Sequence, residues 1–425
     1  MTTLAPAFHP VWPNLQLTWD ASSLAPLMEC ARKYQLGILE GWTPSEMKID
    51  LEFGRIAGEG LEMLLREIIA GKTHAAAVHA ALRHVLMRSW NEATGRPTLG
   101  YYEDVWRCAG DVPYKNQKGN KAKCPNSHKG TWLFGQAPGT CSCGGTVETA
   151  NRWYPVNPVK DRLALIRLIY AYSEDFRDGN LHVVTVGGPD DPARIPLLEH
   201  HWQLPFTTVQ GVQFYLCGNL DKVITFGGEE TFISDFKTTK NTLGKSYFSQ
   251  FHPNVQVGVY DMCASQVLPP EVPRYGGVMI EAFQCLTGGV RIGRQIFTPT
   301  ESERIELFRD LNYYLALAKQ YAAQNYWPMN RTACKLCQFK PVCEASPEAR
   351  GAVLAANYSR SFWDPVKRER TETRGGQVDT GRGQAPAADG QVVAVGQTGS
   401  VQPSVPVLLR GATAGGNEVP VPASA

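Results

Sequence analysis

A block of strand-like segments in the middle of the chain limits the fold more than any other feature of the sequence. These segments alternate between apolar and polar residues or run apolar over most of their length; they are residues 197–206, 212–226, 231–237, 275–283 and 290–297. Gly227-Gly228 marks a turn between the second and third segments, and a helical segment, residues 247–267, separates the third from the fourth. Strands followed by a helix and more strands predict one mixed α/β core.

Helical periodicity surrounds this block on both sides. The segments predicted to be helical are residues 22–40, 51–69, 161–176 and 301–323. Thr300 is suited to cap the last of them, because a threonine hydroxyl can accept from the first free amides of a helix. The sequence therefore predicts an α/β protein whose mixed central sheet is flanked by helices.

Composition divides the 425-residue chain into five predicted parts. They are an N-terminal helical part (residues 1–102), an inserted module rich in Gly, Lys, Asn and Cys (103–150), the α/β core (151–300), a C-terminal helix with cysteines (301–363) and a tail (364–425). No aromatic residue follows Trp363, so the tail cannot bury enough surface to offset its ordering entropy and is predicted to be disordered. Its short apolar patches could be a partner-binding peptide, and a plain flexible tail is the alternative.

Charge and targeting signals set further limits. Lys and Arg number 42 against 40 Asp and Glu, a balance that excludes polycation behaviour but permits a local basic groove. No apolar run reaches bilayer length, so no membrane span is predicted. Residues 1–12 lack the basic start and apolar stretch of a secretory signal, which predicts a cytoplasmic protein. In that compartment eleven cysteines indicate metal ligation rather than disulfides.

Two aspartates and a lysine form the most informative constellation. Alternate residues of a strand share a face, so Asp235 and Lys237 point the same way, and a hairpin through Gly227-Gly228 would bring Asp221 close to them. Adjacent carboxylates repel unless a cation lies between them, and oxygen ligands suit Mg²⁺ or Mn²⁺. Such an ion with a neighbouring lysine could hydrolyse a phosphodiester. An incidental Asp-x-Lys ion pair on a surface strand is the alternative.

The surrounding motifs resemble those of the PD-(D/E)XK nucleases of the RecB type, notably the CRISPR-associated RecB-like iron–sulfur exonucleases and the AddB-type helicase–nuclease domains. The matching motifs are Gly218-x-x-Asp221, Asp235-x-Lys237 and Gln256-x-x-x-Tyr260. The resemblance implies a restriction-endonuclease-like sheet, metal binding by both aspartates, assistance to hydrolysis by the lysine, and contact with DNA by the Gln–Tyr pair, which shares one helix face. Glu199 resembles the acidic residue that the family often carries on the preceding strand.

One position departs from the family pattern. Family members usually carry Gly-x-x-x-His on an early helix, where the histidine is a further metal ligand, but here Gly54 is followed by Gly58 at that spacing. Glu59 or Glu62 could supply a carboxylate instead. The alternatives are a weakened or lost catalytic site and glutamates that are ordinary solvated helix residues.

Cysteines near both ends of the ordered chain form a second constellation. Cys334-x2-Cys337-x5-Cys343 follows the last long helix, and three closely spaced thiolates indicate a metal or a cluster. Cys30 is the candidate fourth ligand. This arrangement is similar to the staple of the same nuclease families, which implies a [4Fe–4S] cluster; zinc in the same four-thiolate site is the main competitor.

The inserted module carries a third group of possible ligands. Cys124-x3-His128 and, after twelve intervening residues, Cys141-x-Cys143 predict a small structural zinc site. Cys108 could replace one ligand, and a metal-free loop is the alternative. Lysines that could contact phosphates lie nearby at positions 115, 118, 121, 123 and 129, and Trp132 or Phe134 could stack on a base. A basic solvated loop would explain the same residues.

Two functions from different classes follow from these features. The first is a metal-dependent DNA exonuclease that acts on single-stranded or resected ends. The family resemblance implies a role in recombination, repair or replication in a bacterial or phage-infected cell, where recombination or replication partners could bind the tail. The second is a DNA-binding accessory subunit that keeps the nuclease fold and the cluster but has little or no activity, as the missing histidine suggests. A third and weaker hypothesis is a zinc protein whose cysteines are all structural.

Overall fold

The computed structural model of the protein describes residues 4–45, 49–116, 118–127, 132–187 and 195–371. Most of the predicted disordered tail, from residue 372 onward, lies outside these residues, and so does His128 of the inserted module. No helix in the described ranges is long and apolar enough to cross a bilayer.

The helices are mostly amphipathic and lie on both sides of a central sheet. They are α1 Ala21–Glu29, α2 Ala31–Tyr34, α3 Ile49–Ile69, α4 His74–Arg88, α5 Arg162–Asp178, α6 Lys245–Phe248, α7 Val255–Val267, α8 Glu301–Gln324, α9 Lys340–Glu344 and α10 Arg350–Asn357.

The strands fall into the central sheet and several small sheets. They are β1 Thr18–Trp19, β2 Trp42–Pro44, β3 Trp90–Asn91, β4 Arg96–Pro97, β5 Gly100–Cys108, β6 Tyr114–Lys115, β7 Lys121–Ala122, β8 Leu133–Phe134, β9 Val147–Pro155, β10 Leu181–Val183, β11 Thr185–Val186, β12 Ile195–Pro196, β13 Leu198–Val209, β14 Val212–Phe226, β15 Glu230–Thr239, β16 Tyr275–Leu286, β17 Gly289–Phe297, β18 Tyr358–Arg360, β19 Phe362–Asp364 and β20 Glu369–Thr371.

The central sheet is mixed, as the sequence predicts. Its order is β1-β14-β15-β16-β17, with β10 and β13 also paired to β14. Strands β15 and β16 are parallel and are connected through α7, whereas β14 is antiparallel to both β13 and β15. The predicted α/β class with a mixed sheet between helices is therefore confirmed.

A tight turn connects β14 to β15. Gly227 and Gly228 have φ values of +65° and +80°, a conformation that is strained for residues with a Cβ atom. The turn sets the register, in which Phe226 lies opposite Glu230 and Lys222 lies opposite Ser234. The predicted hairpin through these two glycines is confirmed.

Two apolar layers hold the helices against the sheet. On one side Ile233 and Ile280 of the sheet pack with Val257 of α7 and Leu311 of α8. On the other side the helices α3, α4 and α5 pack together and against Phe283 of β16. Each Å² of apolar surface that is buried stabilises the folded chain by about 25 cal/mol. These two layers are therefore the main source of stability in the core.

Two predicted helices are interrupted. The first breaks at Cys30, which has extended backbone between α1 and α2. The second is split near Pro253, a residue without an N–H to continue the helical ladder, and α7 begins only after Asn254, whose side chain accepts from the amides of Gln256 and Val257. By contrast, Thr300 caps α8 in a capping box with Glu303, as predicted.

A short hairpin corrects the predicted start of the disordered tail. Phe362–Asp364 pairs with Glu369–Thr371, so residues 364–371 are ordered although the sequence predicts disorder from residue 364. Asp364 stabilises the turn, because its Oδ1 accepts from the amides of Val366 and Lys367. Trp363 fixes this hairpin to the N-terminal part of the chain, because its indole N–H donates to Asp20 Oδ2 at 2.9 Å.

Candidate functional site

The central strand β14 changes partner at the candidate site. Tyr215 and Leu216 pair with β1, whereas residues 222–226 pair with β15. Between these two ladders, no strand of the described residues pairs with β14 on that edge. The amide of Phe236 instead donates to Asp221 Oδ2 at 3.0 Å. Asp221 and Asp235 therefore lie side by side just beyond the last pair of the ladder.

A glycine is required shortly before this point. A Cβ atom on Gly218 would lie 2.8 Å from a ring carbon of Trp202 on β13. Real Cβ atoms do not approach that closely, so the strand can pass Trp202 only with glycine at this position. This explains the glycine of the Gly-x-x-Asp motif in this chain.

Lys237 lies on the same strand face as Asp235. Its Nζ forms an ion pair with Asp235 Oδ2, and its side chain is 32% exposed, whereas the Asp235 side chain is 3% exposed. Burial alone would lower the pKa of Lys237, but the carboxylates of Asp235 and Asp221 outweigh that effect and hold the pKa above its usual value. The ammonium is therefore charged and lies against the Asp235 carboxylate.

The carboxyl group of Asp221 has an unusually high pKa. Burial raises its pKa, the nearby Asp235 carboxylate raises it further, and together they bring it to about 7, although Lys237 and the Phe236 amide act in the opposite direction. A half-buried carboxyl that shares its surroundings with a second carboxylate binds either a proton or a cation.

Gln256 and Tyr260 extend from α7 to the two strands. Gln256 Nε2 donates to Asp235 Oδ1 at 2.9 Å and to the Tyr260 hydroxyl at 3.2 Å. The Tyr260 hydroxyl in turn donates to the backbone oxygen of Asn219 at 2.7 Å, two residues before Asp221. This chain of hydrogen bonds fixes the orientation of Asp235 and places α7 against the site.

Glu199 lies at the edge of the same site. It has a φ of +50°, which costs a non-glycine residue about 1–2 kcal/mol. Its carboxylate accepts from Asn219 Nδ2 and pairs with Arg368 at 2.9 Å. Burial raises the pKa of Glu199, and Glu62 contributes in the same direction. Neither Asn219 nor Arg368 is identified by the sequence motifs; Arg368 even lies in the predicted tail.

The two glutamates of α3 have different surroundings. Glu62 lies near enough to Glu199 for their charges to interact, and its partner Arg66 also donates to the Leu198 carbonyl. Glu59 instead forms ion pairs with Arg55 and Arg88 and contacts His84 at 3.2 Å. The helix thus turns Glu62 toward the site and Glu59 toward α4, where cations already neutralise it.

A buried ionic cluster on the opposite sheet face supports the site and has no motif in the sequence. Lys222, next to Asp221, pairs with Glu281 of β16 and lies 4.0 Å from the centroid of the Phe236 ring. Arg294 also pairs with Glu281, at 2.6 Å. Burial disfavours an ionised Glu281, but these two cations hold its pKa below the usual value. The cluster fixes the strands that carry both aspartates.

The cysteines from the two ends of the ordered chain lie on neighbouring segments. The amide of Asn330 donates to Cys30 Sγ at 3.2 Å, and Cys334 Sγ contacts the Asn330 carbonyl at 3.5 Å. Burial raises the pKa of Cys343, Arg32 opposes this, and Cys337 and Cys334 raise it further. Among the described residues, Cys30, Cys334, Cys337 and Cys343 do not form a set of sulfur atoms that all lie within 4.8 Å of one another. Thiolates on such segments could hold a cluster or a metal ion.

Four thiols of the inserted module converge more tightly. Cys108, Cys124, Cys141 and Cys143 have sulfur atoms within 4.8 Å of one another. The Cys108–Cys143 and Cys124–Cys141 sulfur distances are 3.4 and 3.7 Å, close to the ~3.8 Å edge of a tetrahedron with zinc–sulfur bonds of 2.3 Å. Cys108 thus completes the set for which the sequence offers His128, a residue outside the described ones.

Comparison with known proteins gives the class of the core. The region of residues 185–344 matches the family model of the PD-(D/E)XK nuclease superfamily and is similar to it in sequence. It contains both aspartates, Lys237, Glu199, the Gln–Tyr pair of α7 and the three C-terminal cysteines.

Other comparisons add little. No curated protein matches the chain. Among solved structures, the crystal structure of SSO0001 is 15% identical over 43% of this chain and 69% of that chain, with a TM-score of 0.24. A likeness this low carries no argument about fold or function.

Proposed function

We propose that this protein is a Mg²⁺- or Mn²⁺-dependent deoxyribonuclease of the RecB type that shortens DNA from single-stranded or resected ends. The observation that carries the proposal is the position of Asp221, Asp235 and Lys237 on one face of β14 and β15, inside the region similar to the nuclease superfamily. A role in recombination, repair or replication follows from the same likeness to RecB-type enzymes.

The carboxylates suit a hard divalent cation, because they are adjacent oxygen ligands and burial favours a bound counter-charge. When bound by Asp221 and Asp235, such an ion supplies a polarised phosphoryl oxygen and an acidified water. Glu199 and Glu62 would provide further oxygens at the edge of the site.

The remaining steps belong to side chains of the chain itself. Lys237 keeps a positive charge beside Asp235, where it can orient a water and stabilise negative charge that develops on a phosphate. Gln256 prevents rotation of the Asp235 carboxylate by holding Oδ1, and Tyr260 holds the β14 backbone at Asn219. This preorganisation lowers the reorganisation needed during hydrolysis.

The second candidate function is a DNA-binding accessory subunit with little or no nuclease activity. It is favoured by the glycine at position 58, where the family usually has a histidine, and by Arg368, which already neutralises Glu199. This candidate predicts DNA binding without cleavage at any concentration of Mg²⁺ or Mn²⁺.

A nuclease assay separates the two functions. Linear single-stranded DNA labelled at either end should be degraded with Mg²⁺ or Mn²⁺, whereas a closed single-stranded circle should resist, as expected of an exonuclease. Lys237→Met should lower the rate at least a hundredfold. The matched control is Lys240→Met, which removes an exposed lysine three residues away. Intact linear DNA with every metal would refute the nuclease, and equal rates for both variants would refute the role of Lys237.

We also propose a structural zinc ion at the four thiols of the module. Their sulfur separations suit one tetrahedral ion better than a [4Fe–4S] cluster, because a cluster binds its four thiolates through four different iron atoms and so holds them farther apart.

For the second cysteine group, Cys30, Cys334, Cys337 and Cys343, we propose a [4Fe–4S] cluster that joins the two ends of the ordered chain. The contact between Asn330 and Cys30 supports this assignment. Protein purified without oxygen should be brown with about four irons per chain. Cys343→Ser should lose the colour, and Cys263→Ser, which changes a buried thiol of α7, should keep it.

A further inference from the structure

The three-stranded sheet of the inserted module has a face that carries aromatic rings and two arginines, together with the carboxylates of Glu103 and Glu148. In its register Tyr101 lies opposite Tyr154 and Val105 lies opposite Phe134. Because alternate residues of a strand share a face, these side chains lie on one side of the sheet. We call this side the aromatic face; it comprises Tyr101, Arg107, Trp132, Phe134, Arg152 and Tyr154.

The rings and cations of the aromatic face contact one another. The ring centroids of Phe134 and Tyr154 are 5.0 Å apart, and those of Tyr101 and Tyr154 are 6.3 Å apart. The guanidinium groups of Arg107 and Arg152 lie 4.5 and 5.2 Å from the Trp132 ring centroid. Stacking of this kind holds the arginines with their charge next to the rings.

Folding does not account for how exposed these rings are. Tyr101 is 46% exposed and Phe134 is 58% exposed, although large aromatic side chains normally supply buried area. Arg107 pairs with Glu148 at 2.6 Å. Arg152 lies opposite Glu103 in the sheet but stacks on Trp132, and among the described residues it forms no ion pair. An exposed patch that combines rings with a free cation indicates a ligand with flat apolar faces and negative charge.

The charge of the whole module agrees with such a ligand. Residues 100–155 contain seven lysines and arginines against four aspartates and glutamates, in a chain whose overall charge is close to balanced. Basic residues are thus concentrated in the module, where they would attract a polyanion.

We propose that the aromatic face binds single-stranded DNA. Unpaired bases stack on Tyr101, Phe134 and Tyr154, and the phosphates between them contact the arginines and the lysines of the module. Duplex DNA would not fit, because its bases are stacked on one another and cannot lie on protein rings. The inference rests on the proposed function, and it specifies that the protein binds DNA in single-stranded form close to the DNA ends.

The zinc site stabilises this face. Cys108 directly follows Arg107 at the end of β5, and Cys143 lies four residues before the start of β9, which carries Arg152 and Tyr154. An ion bound by these thiolates would fix the ends of both strands and thereby the spacing of the rings.

Equilibrium binding to a labelled dT20 oligonucleotide tests the proposal, with full-length protein and no added Mg²⁺ or Mn²⁺, so that no DNA is degraded. Tyr101→Ala combined with Phe134→Ala should weaken binding at least tenfold. Arg152→Gln should weaken it less and reduce the salt dependence by about one phosphate contact. The matched control is Tyr326→Ala, which removes a ring that is 59% exposed outside the module and should leave affinity unchanged. Zinc content and circular dichroism confirm that each variant is folded.

The outcomes separate this inference from the nuclease proposal. Unchanged dT20 affinity in the double variant would overturn the aromatic face as a binding site, even if the protein degrades DNA. Binding that is lost in the double variant, without any cleavage by the wild-type protein, would support the face and refute only the nuclease. A 20-bp duplex that binds as tightly as dT20, or a U20 RNA that binds more tightly, would overturn the commitment to single-stranded DNA.

Discussion

The backbone amide of Phe236 donates a hydrogen bond to Asp221 Oδ2 at 3.0 Å. A side chain of β14 thereby accepts a hydrogen bond from a backbone amide of β15, just beyond the last residue pair of the two strands. This contact holds the Asp221 carboxylate beside Asp235, and it explains why the site forms where β14 leaves β15 for β1. The raised pKa of Asp221 affects both metal binding and stability.

Metal affinity should rise with pH through neutrality. The pKa of Asp221 is about 7, raised by burial and by Asp235, so below pH 7 a proton occupies the carboxyl that the cation needs. Affinity for Mn²⁺ should increase severalfold between pH 6 and pH 8, with release of about one proton per ion at pH 6. Calorimetry in buffers of different ionisation enthalpy measures that proton. A pH-independent affinity would contradict the assignment.

The same acidity predicts that Asp221 destabilises the metal-free protein at high pH. Its folded pKa lies above the ordinary value of 3.8, so the stability that its proton provides is present at low pH and is lost as pH rises toward 7. Asp221→Asn keeps an acceptor for the Phe236 amide and removes the charge. At pH 8 it should raise the free energy of unfolding by up to about 4 kcal/mol, and near pH 4 the gain should nearly vanish. Urea denaturation at both pH values tests this; a less stable variant at pH 8 would contradict it.

The two glutamates of α3 should behave differently although they lie on one helix. Glu62→Gln should weaken Mn²⁺ binding several-fold, because Glu62 faces Glu199. Glu59→Gln should leave Mn²⁺ affinity unchanged and lower stability by about 1 kcal/mol, because it removes the partner of Arg55 and Arg88. Mn²⁺ titration and thermal melts of both variants provide the comparison. Equal losses of Mn²⁺ affinity in the two variants would contradict the different roles assigned to Glu62 and Glu59.

Zinc content should depend on Cys108. Cys108→Ser should lose zinc and loosen the ends of β5 and β9, since its sulfur completes the four-thiol set. Cys285→Ser changes a buried thiol of β16 outside both cysteine groups and should retain the metal. Metal analysis of the purified variants decides the matter, and full zinc occupancy in Cys108→Ser would restore His128 as the ligand.

Local sequence patterns predict much of the fold and the centre of the site. Alternation and the Gly227-Gly228 turn place Asp221, Asp235 and Lys237 together because strand geometry has a fixed period of two. Helix α4 is missed, since its buried face consists largely of alanine and valine between histidines and gives weak contrast. Element ends shift where a single residue such as Pro253 interrupts a periodic segment.

Contacts between distant segments are not predictable in this way. Arg368 reaches Glu199 from 169 positions along the chain, and Glu281 meets Lys222 from a strand two places away in the sheet. The partner of a buried charge is set by the tertiary arrangement, not by spacing in the sequence. Cys108 is an intermediate case, because the sequence offers it as a replacement ligand, but the pairing of β9 with β5 is what brings it to Cys143.

The most direct test of the metal site is a crystal structure of the protein grown with Mn²⁺, with anomalous scattering recorded at the manganese edge. The proposed function predicts a single strong peak within about 2.3 Å of carboxylate oxygens of both Asp221 and Asp235, with Lys237 Nζ on its open side. A manganese ion bound elsewhere, or no peak between these two aspartates at saturating Mn²⁺, would contradict it.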